Sequence, residues 1–481
     1  MAPAPSARPP SVVLISIDGM RVDRAHFDGN PDLTTPNLDA LAAAGVRFPD
    51  AFSQSNESLL SHAPMLTGRY ASEIAFPDYL QYYLPDDAVL VSEMLDAAGY
   101  DTGAFLAGGH IKGVFGFDQG FDTFFESGDF GSFHETVPAA IRWLAGRPED
   151  TPFFAFLHGY DCHRPYLHDS VFFHPFTPDD RNRIDKLLKH RNFTEHVYDR
   201  VAYADFSAER VWHGSGERML NPDVYLELPA HAALDHDPED LIPLEDKQVE
   251  HVFAHYDGAV LAADTYVGLF LEALQLAGRW DDTLVVVTAD HGEDLQDHGY
   301  FNHRAVIYDS TTRVPFLLGG GLVPEAARGT VRPELVEAVD VVSTIAEVAG
   351  TVPPGASRGR SVWGAANGGP VEARDLVFQE GVLGQLSARG ARFRLVFSGF
   401  RLTDPELHAH LVDEPLEGGR FALYESLDDP QEQVDVLSAF PEEAARMREA
   451  LVAWHANLSQ GTGTRPLTDS ERTMLRDHGY W

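Results

Sequence analysis

A large α/β domain, doubly wound on a mostly parallel sheet, follows from three short runs of almost wholly apolar residues. These are Ser11–Ile17, Pro152–His158 and Asp282–Thr288. Runs of this length, rich in β-branched and aromatic residues, are strands covered on both faces, as in a parallel sheet. Each ends in polar residues: Asp18-Gly19, His158-Gly159 and Asp290-His291-Gly292. Helical segments separate them, the alternation expected of a doubly wound fold with helices on both faces.

The elements follow in order. Ser11–Ile17 opens the sheet. Thr35 is placed to cap a helix that begins at Pro36, and Val46-Arg47-Phe48 starts a further strand. Leu90–Ala98 reads as a helix and Thr102–Leu106 as a strand. Thr136 is expected to cap a helix with Pro138 in its first turn and Ala139–Leu144 in its body. Tyr256–Ala277 is a long amphipathic helix leading into the strand Asp282–Thr288. Residues 167–250 carry no period and read as an insertion, a lid or a substrate-shaping excursion.

Beyond about residue 376 the pattern changes to antiparallel strands, Leu386–Phe397 and Phe421–Tyr424, then a helix from Pro441 to Asn457. The expected organisation is a large α/β domain over 1–375, a smaller α+β subdomain over 376–465 and a helical tail over 466–481. In the tail, Thr468 and Glu471 have capping-box spacing.

The chain of 481 residues has a net charge of −38, which argues against nucleic acid and anionic lipid as partners. Only Lys112, Lys186, Lys189 and Lys247 are lysines; the other cations are arginines. Cys162 is the only cysteine, so no intrachain disulfide forms. No stretch approaches 18 consecutive apolar residues and the first ten residues have no apolar core, so neither a membrane span nor a signal peptide is expected, and a cytoplasmic location is.

Asp18 and Asp290-His291 each follow a buried strand. Parallel strands deliver their carboxyl ends to one edge, so two carboxylates and an imidazole converge there as a divalent-metal site.

These residues also carry a family resemblance. Ile17-Asp18-Gly19, Thr35–Leu41, Leu66-Thr67-Gly68-Arg69-Tyr70, Gly116–Asp122, Thr288–Glu293, Arg313-Val314-Pro315-Phe316, Leu423-Tyr424 with Asp429-Pro430, and Leu475–Tyr480 together resemble the sulfatases of the alkaline phosphatase superfamily. The resemblance spans nearly the whole chain outside 167–250. It implies a hydrolase of sulfate or phosphate esters, with the nucleophile nine residues before Thr67, at Ser58.

In that family the nucleophile is a Cys or Ser matured to formylglycine within Cys/Ser-x-Pro-x-Arg. Here Leu60 and His62 replace the Pro and Arg, so an unmodified serine is expected. Coordination to a dication would activate its hydroxyl, and a following helix would turn backbone N–H groups towards the ester. Asp18-Gly19 replaces a pair of acidic residues, which removes one oxygen ligand. One divalent metal is expected on Asp18, Asp290, His291 and Ser58, with Zn²⁺ or Mn²⁺ favoured over Ca²⁺ or Mg²⁺.

The resemblance further assigns His163 and His303 to the ester as leaving-group acids or oxyanion donors, with His303 in the place of a lysine. It sets His110 and Lys112 near a second lysine position without choosing between them. It puts His62 beside the nucleophile and His158 at the head of the His163 segment as substrate-facing residues. The expected substrate is a small anionic ester. Phosphodiesters and phosphonate monoesters are included, because a serine ester cannot expel sulfate as a formylglycine hydrate can. A phospho-group transferase and a non-catalytic relative remain as alternatives, and the tail leaves a homo-oligomer open.

Overall fold

The computed structural model describes residues 8–458 apart from 75–83, 86, 129, 165, 167–169, 174–175, 177–245, 299–300, 304–306, 370, 382–384, 399, 403–410, 414–415 and 417–419. Most of the 167–250 insertion and all of the 466–481 tail lie outside these residues.

The main sheet has eight strands. In chain order they are β1 Ser11–Ile17, β2 Val46–Arg47, β3 Asp101–Leu106, β4 Thr123–Glu126, β5 Phe153–Gly159, β6 Thr283–Thr288, β7 Phe316–Gly319 and β8 Thr330–Val331. Their spatial order is β8-β2-β7-β6-β1-β5-β3-β4. Pairing is parallel except around β7, which runs antiparallel to β6 and β2. The first strand therefore lies centrally between β5 and β6, where the chain winds away to either side and where α/β sheets place their ligands.

The apolar runs are explained by what covers them. Val12, Leu14, Phe154, Phe156, Leu284 and Val286 point to one face and enter one core cluster. Val13, Ile15, Ala155, Leu157, Val285 and Val287 alternate to the other face and enter a second. Helices α1 (Pro36–Ala44), α3 (Phe133–Ala145) and α4 (Asp246–Leu276) cover the second face. Helices α2 (Ser58–Thr67) and α5 (Asp340–Ala349) cover the first.

One helix starts where the sequence places it but is capped differently, and two others start elsewhere. Thr35 does occupy the cap position of α1, but its hydroxyl bonds Asp39 Oδ1 at 2.8 Å. The amides of Asn37 and Leu38 are taken instead by the Asp264 carboxylate from α4, at 3.1 and 2.8 Å. Helix α3 begins at Phe133, so Thr136 and Pro138 lie inside it. Asp161 Oδ2 accepts from Phe133 N at 2.9 Å and fixes that start, while the Thr136 hydroxyl donates to the His158 carbonyl at 3.1 Å. Helix α4 begins at Asp246, ten residues before Tyr256, because its first turns carry polar residues that hide the period. Among the described residues, Glu250–Leu276 is long and apolar enough to cross a membrane. Its Tyr256, Val260, Ala263, Val267 and Phe270 are buried against the sheet.

The C-terminal sheet is antiparallel: β9 Val377–Glu380, β10 Leu386–Arg389, β11 Phe393–Ser398 and β12 Arg420–Glu425, paired in that order. Helix α6 (Pro441–Ala456) covers it with Met447 and Leu451.

Arg394 on β11 ties this sheet to the main body. Its fully buried guanidinium donates to Asp309, Glu432, Ser387 and Thr312, and to the Ile307 carbonyl. Truncating one partner of a buried charge network leaves the others uncompensated. Arg394→Ala is therefore expected to cost about 3–5 kcal/mol, read by denaturant unfolding. A loss under about 1 kcal/mol would contradict this account of the junction.

Candidate active site

The side-chain alternation that builds the core also builds the site. Ser16 and Asp18 continue the Val12–Leu14 face of β1, and His158 continues the Phe154–Phe156 face of β5. Ser16 is in register with His158 on one side and with Thr288 on the other. Asp18, His158 and Asp290 therefore reach one edge of the sheet on one face, the face on which α2 lies. Gly19 has φ +67°, so the chain turns sharply after Asp18, and its amide donates to Asp290 Oδ1 at 3.1 Å.

Helix α2 delivers Ser58 from above. Its cap is Glu57, and Ser58 is its first helical residue. The Ser58 hydroxyl donates to Asp18 Oδ2 at 2.8 Å and lies 3.4 Å from His291 Nε2. His291 Nε2 is 3.4 Å from Asp290 Oδ2, and ligand atoms of Asp18, Asp290 and His291 all lie within 4.8 Å of one another. His291 Nδ1 bonds the Gly292 carbonyl at 2.8 Å, which turns Nε2 towards the carboxylates.

All three residues are fully buried. Asp18 Oδ1 and Asp290 Oδ2 have no hydrogen-bond partner among the described residues. Burial and the neighbouring Asp290 carboxylate push Asp18 well above the usual carboxylate range. For Asp290 burial acts in the same direction, but His291 and His62 outweigh it and hold the group low. Two buried carboxylates this close require a proton or a cation between them.

The helix N-terminus is not open to an ester. The Glu57 carboxylate accepts from the amides of Leu59 and Leu60 at 3.1 and 3.4 Å, so the N–H groups that the sequence reading turned towards an anion are taken by their own cap. The other Glu57 oxygen lies 2.5 Å from His110 Nδ1. Glu57 thus fixes both the start of α2 and His110. Glu57→Ala is expected to cost about 1–2 kcal/mol, read as a lower Tm, with Tm retained in Glu57→Asp. An unchanged Tm in the alanine variant would contradict the capping role.

The remaining candidates separate into two groups. His62 and His158 are wholly buried beneath the nucleophile, not on the solvent side where substrate-facing residues were expected. His62 Nδ1 donates to the Ser58 carbonyl at 2.7 Å, and its Nε2 accepts from Ser16 Oγ at 2.9 Å. Burial holds both imidazoles below the ordinary histidine range.

His303 and His163 lie beside His291. His303 stacks on His291 with ring centroids 4.2 Å apart, and His163 meets His303 edge-on at 5.5 Å. His163 Nδ1 donates to the Arg164 carbonyl at 2.8 Å, and burial together with the Arg164 charge lowers its pKa to about 3. His303 Nδ1 lies 2.9 Å from Glu293 Oε2, and Glu293 Oε1 accepts from Tyr166 OH at 2.8 Å. Burial pushes the Glu293 carboxyl up to about 8. Lys112 stands at the start of the 3₁₀ turn Gly113–Phe115, partly exposed.

Glu57 and Glu293 were not among the sequence candidates. Glu293 had a signal: it directly follows Asp290-His291-Gly292. Glu57 had the weaker one of preceding the nucleophile. His158 could have been placed inside by continuing the Phe154–Phe156 alternation.

The comparisons agree with this architecture. The Sulfatase family model matches residues 10–351. An N-acetylglucosamine-6-O-sulfatase of Bacteroides thetaiotaomicron is 24% identical over 73% of this chain and 70% of its own. An arylsulfatase of Clostridium perfringens is 23% identical over 73% and 77%. Among solved structures, one in complex with its substrate D-glucosamine-2-N,6-O-disulfate superposes with a TM-score of 0.71 at 20% identity, covering 95% of this chain and 99% of the other. A phosphonate monoester hydrolase of Agrobacterium radiobacter gives 0.68 at 20% identity, covering 96% and 99%. The chain belongs to the Sulfatase family of ester hydrolases.

Proposed function

We propose that this chain is a metal-dependent hydrolase of singly charged sulfate or phosphorus esters in which unmodified Ser58 is the nucleophile. The observation that carries the reading is the Ser58 hydroxyl, 2.8 Å from Asp18 Oδ2 and 3.4 Å from His291 Nε2 at the sheet edge. The residues fit a divalent ion, because Asp18 Oδ1 and Asp290 Oδ2 are buried acceptors with no hydrogen-bond partner among the described residues. Asp18, Asp290 and His291 would hold it with Ser58. When bound it supplies positive charge to the reacting centre and lowers the pKa of the serine hydroxyl.

The chain's own groups account for the rest. The Ser58 proton has an acceptor in Asp18. Ser58 Oγ forms a bond to sulfur or phosphorus as the ester oxygen departs. His303, oriented through Nδ1 by Glu293, gives that oxygen its proton. Water then cleaves the serine ester. His163 with its Nδ1 proton on the Arg164 carbonyl presents Nε2 as an acceptor, so it suits positioning better than proton donation.

Substrate charge follows from the same residues. His62 and His303 replace an Arg and a Lys of the family pattern, which leaves less positive charge at neutral pH. Sulfate monoesters, phosphodiesters and phosphonate monoesters carry one negative charge, and phosphate monoesters two.

The test is a panel of aryl esters of these four classes, assayed with added Zn²⁺ or Mn²⁺ in ¹⁸O-labelled water. Turnover of a singly charged class at least tenfold above the phosphate monoester, with ¹⁸O in the released anion, is the expected result. A phosphate monoester preference would overturn the charge argument. Transfer to an added alcohol without hydrolysis would make the protein a transferase, and no turnover of any class would make it a non-catalytic relative.

A further inference from the structure

We infer that His158 is a further ligand, through Nε2, of the metal held by Asp18, Asp290 and His291. The inference rests on the reading of Asp18, Asp290 and His291 as the metal site.

The first observation is that His158 is unsatisfied. It is fully buried, and neither ring nitrogen has a hydrogen-bond partner among the described residues. A buried neutral imidazole keeps at least one N–H bonded in ordinary structural roles. Its neighbour His62 does so with both nitrogens, on the Ser58 carbonyl and the Ser16 hydroxyl. His62 is thereby committed to holding the first turn of α2, whereas His158 makes edge-on ring contacts with His62 and Tyr160 that leave both its nitrogens without a hydrogen bond among the described residues.

The second observation is where His158 Nε2 lies. It is 3.5 Å from Asp18 Oδ2, the same oxygen that accepts from Ser58. His291 Nε2 is 3.4 Å from Asp290 Oδ2 and 3.4 Å from Ser58 Oγ. Ligand atoms about 2.0–2.2 Å from a zinc ion stand about 3.3–3.6 Å apart at the corners of a tetrahedron. These three separations are of that length. They are longer than a well-formed hydrogen bond. Asp290 belongs to two groups of possible ligands, one with His62 and His158 and one with Asp18 and His291, the ligand atoms within each lying within 4.8 Å of one another.

The third observation is the vacancy in the sequence pattern. Where many sulfatases carry two acidic residues, this chain has Asp18-Gly19, and the glycine offers no side-chain oxygen. His158 approaches from the adjacent strand, in register with Ser16, two residues before Asp18. The exchange replaces a carboxylate oxygen with an imidazole nitrogen. Two nitrogens and two carboxylates favour Zn²⁺ over Ca²⁺, which takes six to eight oxygens.

The test measures the metal site directly. Metal-free protein is loaded with one equivalent of Zn²⁺, and the imidazoles bound to zinc are counted by X-ray absorption. Zinc affinity is measured by competition with a chromophoric chelator in the wild type, His158→Gln and His158→Phe. Two imidazoles are expected in the wild type. A zinc affinity lower by about 100-fold is expected in both variants, against melting curves of the metal-free proteins that confirm folding. One imidazole in the wild type, or variant affinities within twofold of it, would overturn the assignment while leaving Asp18, Asp290 and His291 as the site. A wild type that binds no zinc at all would overturn the metal reading and this inference with it. The wild-type count decides the question even if neither variant folds.

Discussion

Replacing Ser58 by alanine is expected to lower kcat/KM by about 10⁴-fold or more, with the fold retained. The size follows from the role. If Ser58 Oγ forms the covalent ester, removing it leaves only water in place of an oriented nucleophile, and the rest of the site cannot compensate. The hydroxyl is a single hydrogen-bond donor to Asp18, so its loss costs little stability. Steady-state kinetics on the best ester of the panel, with circular dichroism for the fold, checks both halves. A loss under tenfold would show that Ser58 only packs.

Removing the metal is expected to have an effect of similar size and a different signature. Dialysis against a chelator should abolish turnover, and one equivalent of Zn²⁺ should restore it. Asp290→Ala should lose about 10³-fold or more in kcat/KM and should not be restored by added metal. Stability should move the other way in the apo state. Burial and the neighbouring Asp290 carboxylate push Asp18 well above the usual carboxylate range, so relieving its charge stabilises the metal-free protein, as a higher Tm for apo Asp18→Asn than for apo wild type. Equal activity with and without chelator would contradict the metal reading. A lower Tm for the asparagine variant would show that the two carboxylates are held by something other than a cation.

Much of the fold was legible because it rests on burial. A strand covered on both faces must be apolar throughout, so β1, β5 and β6 could be read from composition, and their polar ends located the site edge. Helix starts were less legible. The acids that cap α1 and α3, Asp264 and Asp161, come from distant segments, and no local motif announces them. Thr136 fits a cap motif locally, yet its hydroxyl serves the His158 carbonyl on a neighbouring strand.

The site divided in the same way. Asp18, Asp290 and His291 follow directly from strand ends, and Ser58 from the family spacing. Glu57 was hidden because glutamate is an uncommon cap and Ser58, a common one, directly follows it. The histidines could be named but not sorted. Whether His62, His158, His163 or His303 faces a metal, a carbonyl or a carboxylate depends on which nitrogen each neighbour occupies, and that is a property of the packed structure.

The central claim is that an unmodified serine carries the chemistry. It is tested most directly by the mass of the tryptic peptide spanning residues 48–69, from protein made in its native host and from the same protein quenched during turnover. The account predicts the unmodified serine mass at rest and, on quenching, an added phosphoryl, phosphonyl or sulfuryl group on Ser58. A resting mass lower by two hydrogens at Ser58 would mean that formylglycine forms despite Leu60 and His62, and would contradict the account.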